Sequence, residues 1–261
     1  MTDPIITLTT DFGRRDPYVA TMKGVLLSRC PDARIVDLSH DIAPQDLIGA
    51  ALFAEAAMPW FPENTLHVLV IDPGVGTVRR AIAARAGGQT FVFPDNGLMT
   101  LLFRKISVDE AHIITMCPFI PEEVSRTFHG RDVFAPVAAW LSLGHPLDTL
   151  GPPAKDLLEL DLPEHKIGAE GAVRGEIIHI DHFGNCVTNI PSSLFDIAGA
   201  AHSAVLRNND RILPLLGTYA DVASGHALAL PGSAGRIEIA VRDGNAAASL
   251  NLHRGDTVRI V

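Results

Sequence analysis

Residues 68–80 read VLVIDPGVGTVRR, and this stretch sets the architecture expected of the chain. Its first four residues form an unbroken apolar run, the pattern of a strand buried on both faces of a parallel sheet. The run ends at Asp72. Pro73 withdraws a ladder donor, and Gly74 and Gly76 permit a sharp turn that a ligand can approach closely. Arg79 and Arg80 follow. A carboxylate, a glycine turn and a guanidinium thus gather beyond the carboxyl end of a central strand, where open α/β sheets bind ligands. An ordinary strand-end turn closed by a salt bridge fits the same residues equally well.

Working outward, residues 5–10, 34–38, 81–86, 90–93 and 111–115 read as further strands, the third and fourth forming a hairpin around Gly87-Gly88. Residues 18–30, 46–57, 98–103 and 130–143 read as helices. This alternation predicts an α/β domain with a mostly parallel sheet flanked by helices. Beyond Gly151 the texture changes. Pro152, Pro153 and Pro163 lead to a glycine-bounded segment, residues 168–171, read as a linker. Residues 173–181, 186–190, 204–206, 227–230, 236–241 and 257–261 are then short, β-rich and nearly free of helical periodicity. The expectation is two domains, residues 1–165 and 166–261, the second a smaller all-β barrel or sandwich.

The 261 residues are 47% apolar and 20% charged, which describes a globular protein and excludes a disordered one. The net charge of −9 comes without basic clusters, so nucleic acid is not an expected partner. No apolar run is long enough to span a bilayer, so no membrane partner is expected. Three scattered cysteines and the absence of a signal-peptide pattern point to reduced thiols and a cytoplasmic location. No P-loop, GxGxxG, HExxH or paired-cysteine signature occurs, so neither a metal nor a cofactor is expected.

Three other places could carry chemistry. Asp11 follows the first strand, where a carboxylate can accept from both hydroxyls of a ribose, or simply cap a helix or close an Asx-turn. His129 precedes Gly130 at a helix start, a position that suits a general base and also a structural histidine. Residues 181–189, DHFGNCVTN, place Asp, Asn and an aromatic on one tight turn. That set fits an amino group and a purine face, and equally an Asx-rich bulge.

Read in order, six segments resemble one family. They are TDFG (10–13), VIDPGVGTVRR (70–80), FPDNGLMT (93–100), TFHGRDVFAP (127–136), IDHFGNCVTNI (180–190) and GRIEIAVRDGNAA (235–247). Together they are similar to the S-adenosylmethionine hydrolases, or hydroxide adenosyltransferases, relatives of the fluorinase and chlorinase enzymes. The resemblance implies hydrolysis of S-adenosylmethionine to adenosine and methionine, extending to the R-sulfonium diastereomer. It also implies a homotrimer whose ligand lies between the first domain of one copy and the second domain of another.

Carried over by motif, Asp72, Arg79 and His129 match the water-activating triad, with His129 the first choice of proton acceptor and Asp72 orienting that imidazole or sharing the proton. Asp11 matches the ribose-diol carboxylate, Asn185 and Phe183 the nucleoside turn, and Asp181 the partner of the methionine ammonium. Ser233 matches a methionine-carboxylate contact, Tyr219 an aromatic at the adenine, and Val241 and Ala246 the adenine-side backbone. Glu238 falls at a position associated with substrate binding. Halogenating relatives carry tyrosine where this chain has Asp72, and the fluorinase an arginine where it has Ala234. A halogenase and a non-catalytic S-adenosylmethionine sensor are the competing readings.

Overall fold

The computed structural model describes residues 4–168, 171–195, 202–206 and 211–261. The chain divides into two compact units, Met1–Leu160 and Asp161–Val261. Residues 152–160 belong with the first unit because their backbone is bonded to it. Ala154 N–H donates to Ala111 O (2.8 Å) and Leu160 N–H to Thr100 Oγ1 (2.8 Å). Pro163 O accepts from Asn189 Nδ2 in the second unit (2.7 Å), so the division falls at Leu160/Asp161 rather than at 165/166. Of the segment read as a linker, residues 169 and 170 lie outside the described residues.

The first unit is a six-stranded sheet built from β1 (Ile5–Thr10), β2 (Arg34–Ser39), β3 (Leu66–Val70), β4 (Ala81–Ala86), β5 (Gln89–Pro94) and β6 (Val108–Ile113). The strand order is β2-β1-β3-β5-β4-β6. The β1–β2, β1–β3 and β3–β5 pairs are parallel, and β4 runs antiparallel to β5 and β6. The sheet is thus mostly parallel, with an antiparallel edge. On one face, α1 (Tyr18–Arg29) packs against α4 (Ala135–Ser142); on the other, α2 (Leu47–Ala57) packs against α3 (Thr100–Lys105). Alternation along the strands feeds two cores. Ile6, Leu8, Val68 and Val70 join the α1/α4 side, and Leu69, Ile82, Phe91 and Phe93 the other. Every residue of β3 is buried, as its apolar run predicts. Asp46 caps α2 by accepting from Gly49 N–H (3.0 Å).

One helix differs from the sequence expectation. The span 130–143 opens with a π-helical turn, Gly130–Phe134, before α4 begins. Asp132 ties that turn down by accepting from Ser125 N–H (2.8 Å). Such widened turns concentrate at functional sites, and this one starts at His129.

The second unit contains β7 (Lys166–Ile167), β8 (Val173–Ile180), β9 (Cys186–Pro191), β10 (His202–Leu206), β11 (Arg211–Leu215), β12 (Ala227–Pro231), β13 (Arg236–Val241), α5 (Ala246–Leu250) and β14 (Thr257–Ile260). The sheet runs β14-β10-β11-β12-β13-β9-β8 and closes through β14–β8, a seven-stranded barrel with β7 added to β8. Closure removes the exposed edges that an open sheet would leave. Ile177, Ile190, Ile239, Leu250 and Val258 are among the side chains filling its core. Among the described residues no helix is long and apolar enough to cross a membrane.

Candidate active site

The loop joining β3 to β4 is stitched by its own short bonds. Val75 N–H donates to Asp72 O (3.2 Å), and Thr77 Oγ1 to Gly74 O (2.7 Å). Gly76 has φ +78°, and a Cβ there would stand 2.5 Å from Arg126 O, so only glycine fits. This compact turn folds Arg79 back onto Asp72. Arg79 Nε donates to Asp72 Oδ1 (2.9 Å) and Oδ2 (3.0 Å), and Nη2 makes a further short contact to Oδ2. The two side chains are only 9% and 4% exposed, so the pair is shielded from water. The same Nη2 lies 2.7 Å from His129 Nδ1.

That contact fixes a tautomer. A guanidinium has no acceptor, so Nδ1 must accept and the ring proton sits on Nε2. Burial pushes the His129 pKa below the ordinary histidine value, and Arg79 pushes it the same way. Asp72 and Asp132 pull in the opposite direction without reversing the shift. The imidazole is therefore neutral at pH 7, with an N–H at its free end.

Asp72, His129 and Asp11 line one cleft of ≈ 190 Å³ together with Phe12, Gln45, Val70, Val75, Thr127 and Phe128. Asp11 does not cap a helix; its Oδ2 accepts from Gln45 N–H (2.9 Å). Phe12 and Tyr18 each meet Phe128 edge-on, with centroids 5.9 and 5.2 Å away, and are tilted against each other at 5.6 Å; Phe12 and Phe128 line the cleft. The phenylalanines stand in two of the quoted motifs, TDFG and TFHG, whereas nothing in the sequence signals that Gln45 contributes its backbone.

In the second unit, four of the expected residues form one chain of polar contacts. Asp181 Oδ1 accepts from Phe183 N–H (2.9 Å) and Asn185 N–H (2.8 Å), which sets the turn. Asn185 Nδ2 donates to Asp181 Oδ2 (3.0 Å) and reaches Tyr219 Oη at 3.5 Å. Tyr219 Oη in turn donates to Glu238 Oε2 (3.4 Å). Burial raises the Glu238 pKa, and the Asp181 charge adds to the effect, against the Tyr219 hydrogen bond. Gly184 has φ +85° and leaves no room for a Cβ against Asn245, which keeps the turn tight. Phe183 is 72% exposed. Ser233 lies exposed in the β12–β13 turn; the Val241 and Ala246 side chains are buried in the barrel, leaving only their backbone for a ligand.

A mixed α/β unit with a half-buried carboxylate–guanidinium–imidazole trio at its central strand end, followed by a closed barrel carrying a second polar cluster, defines the class. Residues 6–151 match the family described as SAM hydroxide adenosyltransferase N-terminal domain, and residues 175–259 match its C-terminal domain. The chain belongs to the S-adenosylmethionine hydroxide adenosyltransferase family. It is 40% identical to the (R)-S-adenosyl-L-methionine hydrolase of Thermus thermophilus, covering 97% of each chain. A fluorinase of Nocardia brasiliensis is 30% identical over 98% of this chain and 96% of its own. The crystal structure of an uncharacterized conserved protein from Thermotoga maritima superposes with TM-score 0.90 at 34% identity, covering 98% of this chain and 99% of the other.

Proposed function

We propose that this chain hydrolyses S-adenosylmethionine, including its R-sulfonium diastereomer, to adenosine and methionine. The C5′–S bond breaks with its electron pair going to sulfur, a C5′–O bond forms to water, and one proton leaves the water. The observation that carries the reading is the Asp72–Arg79–His129 chain of bonds at the cleft that also holds Asp11. The sulfonium is already a good leaving group, so the difficulty lies in the nucleophile. Generating free hydroxide at pH 7 from water of pKa about 15.7 costs roughly 12 kcal/mol. Concerted proton removal during attack avoids that full cost.

The geometry divides the labour. With Nδ1 filled by Arg79, His129 presents Nε2–H and can donate to the attacking oxygen. The proton acceptor is then Asp72, which keeps lone-pair capacity beside the cleft, rather than His129 as the sequence suggests. Arg79 holds both partners in register. Asp11 takes the ribose diol, and the Phe12–Tyr18–Phe128 cluster excludes water from the reacting pair. A charged Asp72 would repel a halide, which argues against halogenation. A pure sensor has no use for a base at C5′.

The second-unit cluster supplies the rest of the recognition. Asp181 and Glu238 favour the methionine ammonium, Phe183 and Tyr219 the adenine face, Asn185 the nucleoside edge, and Ser233 the carboxylate. The adenine edge falls to the Val241 and Ala246 backbone. A cleft of ≈ 190 Å³ is smaller than the ~300–1,000 Å³ of pockets that enclose ligands of this size. Completion by a second copy, in a homotrimer with shared sites, accounts for the shortfall. The reaction uses no metal or cofactor, and the three free cysteines support a cytoplasmic location. Incubating the protein with each diastereomer, with and without chloride or fluoride, tests it. Adenosine and methionine in equal amounts, independent of halide, support hydrolysis. A 5′-halo product would establish the halogenase, and binding without turnover the sensor.

A further inference from the structure

The FPDNG motif has no part in the chemistry above, yet its position is singular. In the sheet, β5 lies between β3 and β4, parallel to the first and antiparallel to the second. The catalytic loop leaves the end of β3 and returns at the start of β4, so both its stems flank the end of β5. The two residues that follow β5 are Asp95 and Asn96. Each reaches to one side.

Asn96 Nδ2 donates to Ile71 O (2.9 Å), one residue before Asp72. Asp95 Oδ2 accepts from Arg80 Nε (2.7 Å), one residue after Arg79, while Asp95 N–H donates to Arg80 O (3.0 Å). Asp95 is 2% exposed, and its other oxygen accepts from Leu158 N–H (2.9 Å). Arg80 is fastened a second time, by Nη1 to Asp156 Oδ1 (2.8 Å). Neither Asp95 nor Asn96 lines the cleft.

We propose that Asp95 and Asn96 are positioning residues that clamp both stems of the loop and so set the distance from Arg79 to Asp72 and His129. The proposal rests on the hydrolase reading for its effect on turnover, and on geometry alone for its effect on the imidazole. The physical reason is that Asp72 and Arg79 are separated by a glycine-rich turn whose internal bonds fix its shape but not its seat on the sheet. A shift of about 1 Å at a reacting group can cost on the order of a hundredfold in rate.

The test uses Asn96→Ala, Asn96→Asp and Asp95→Asn in the full chain, with Thr100→Val as comparison. Thr100 Oγ1 serves the same motif but bonds Gly97 O and Leu160 N–H, away from the loop. Two readouts separate positioning from bulk stability: the split between kcat and KM, and the titration of His129 followed by NMR with isotope-labelled histidine. The charged groups acting on that imidazole are Arg79, Asp72 and Asp132. Loosening the loop withdraws Arg79, so the His129 midpoint rises toward the ordinary histidine value.

Both Asn96 variants should lower kcat by about tenfold to a hundredfold, with KM within about threefold. Asn96→Asp belongs with them because a carboxylate cannot donate to Ile71 O, and it carries the test if Asn96→Ala does not fold. Asp95→Asn should show a smaller change of the same kind. Thr100→Val should lower thermal stability and leave kcat and the His129 midpoint unchanged. Wild-type kcat and an unmoved midpoint in the Asn96 variants, with lowered stability, would overturn the clamp. A wild-type protein that forms no adenosine would overturn the hydrolase reading instead, and the His129 midpoint would still decide the clamp.

Discussion

The polar groups of the two units are built in opposite ways. In the first unit, Asp72 and Arg79 are almost wholly shielded, closely bonded, and locked to His129. In the second, Asp181, Asn185, Tyr219 and Glu238 touch through contacts as long as 3.5 Å, and two carboxylates share the cluster. The first arrangement is held in place by its own bonds without a ligand, as preorganised chemistry requires, and keeps His129 Nε2 and Asp72 facing the cleft. The second brings two carboxylates together, an arrangement that a bound cation would relieve. On the proposed function, one unit reacts and the other holds.

The largest effect that this contrast predicts is on turnover. Asp72→Asn should reduce kcat by about 10²–10⁴-fold, the range typical of a lost general base. Glu238→Gln should leave kcat nearly unchanged and raise KM, as read by initial rates. Equal kcat losses in both would erase the distinction between the units.

His129→Ala should cost about 10²–10³ in kcat, the usual loss for one donor to the reacting oxygen. His129→Gln, which keeps an N–H near the Nε2 position, should recover part of it. If Gln is as inactive as Ala, His129 is the base after all and the tautomer assignment is wrong.

A third effect concerns acid stability and separates the units again. Buried His67 accepts or donates at Thr7 Oγ1 (2.7 Å), and burial pushes its pKa down to about 4, partly offset by Gln89. Below about pH 6.5 the unfolded chain binds a proton that the folded chain refuses. Stability therefore falls as pH drops from about 6.5 to about 4, by up to roughly 3 kcal/mol, and this contribution is flat outside that window. Hydrogen exchange should quicken in β1 and β3 before the barrel strands as pH is lowered. Uniform loss across both units would contradict it.

The smallest expected effect is on the folding stability of Glu238→Gln. Removing one of two like charges at a half-buried site should change stability by no more than about 1 kcal/mol, measured by chemical denaturation.

Much of the fold was legible because its signals are local. The apolar run before Asp72 announces a doubly buried strand, and the glycines after it announce the turn. Other elements were hidden for identifiable reasons. β11 carries Pro214 and meets β12 at a single registered pair, Leu215 with Ala229, so it lacks the composition of a core strand. α5 is a single turn started by Asn245, too short for periodicity. The candidate site was legible as residue types through family resemblance. The wiring was not. That Arg79 meets the Nδ1 edge of a histidine fifty positions away, and so fixes its proton, depends on the π-helical turn and on the clamp at the end of β5.

The most direct test is the fate of solvent oxygen. Turnover of S-adenosylmethionine in isotopically labelled water, read by mass spectrometry, should place the label on the 5′ oxygen of adenosine and none in methionine, with Asp72→Asn suppressing that product. Unlabelled adenosine, or labelled adenosine formed at the wild-type rate by Asp72→Asn, would contradict attack by a water that this trio delivers.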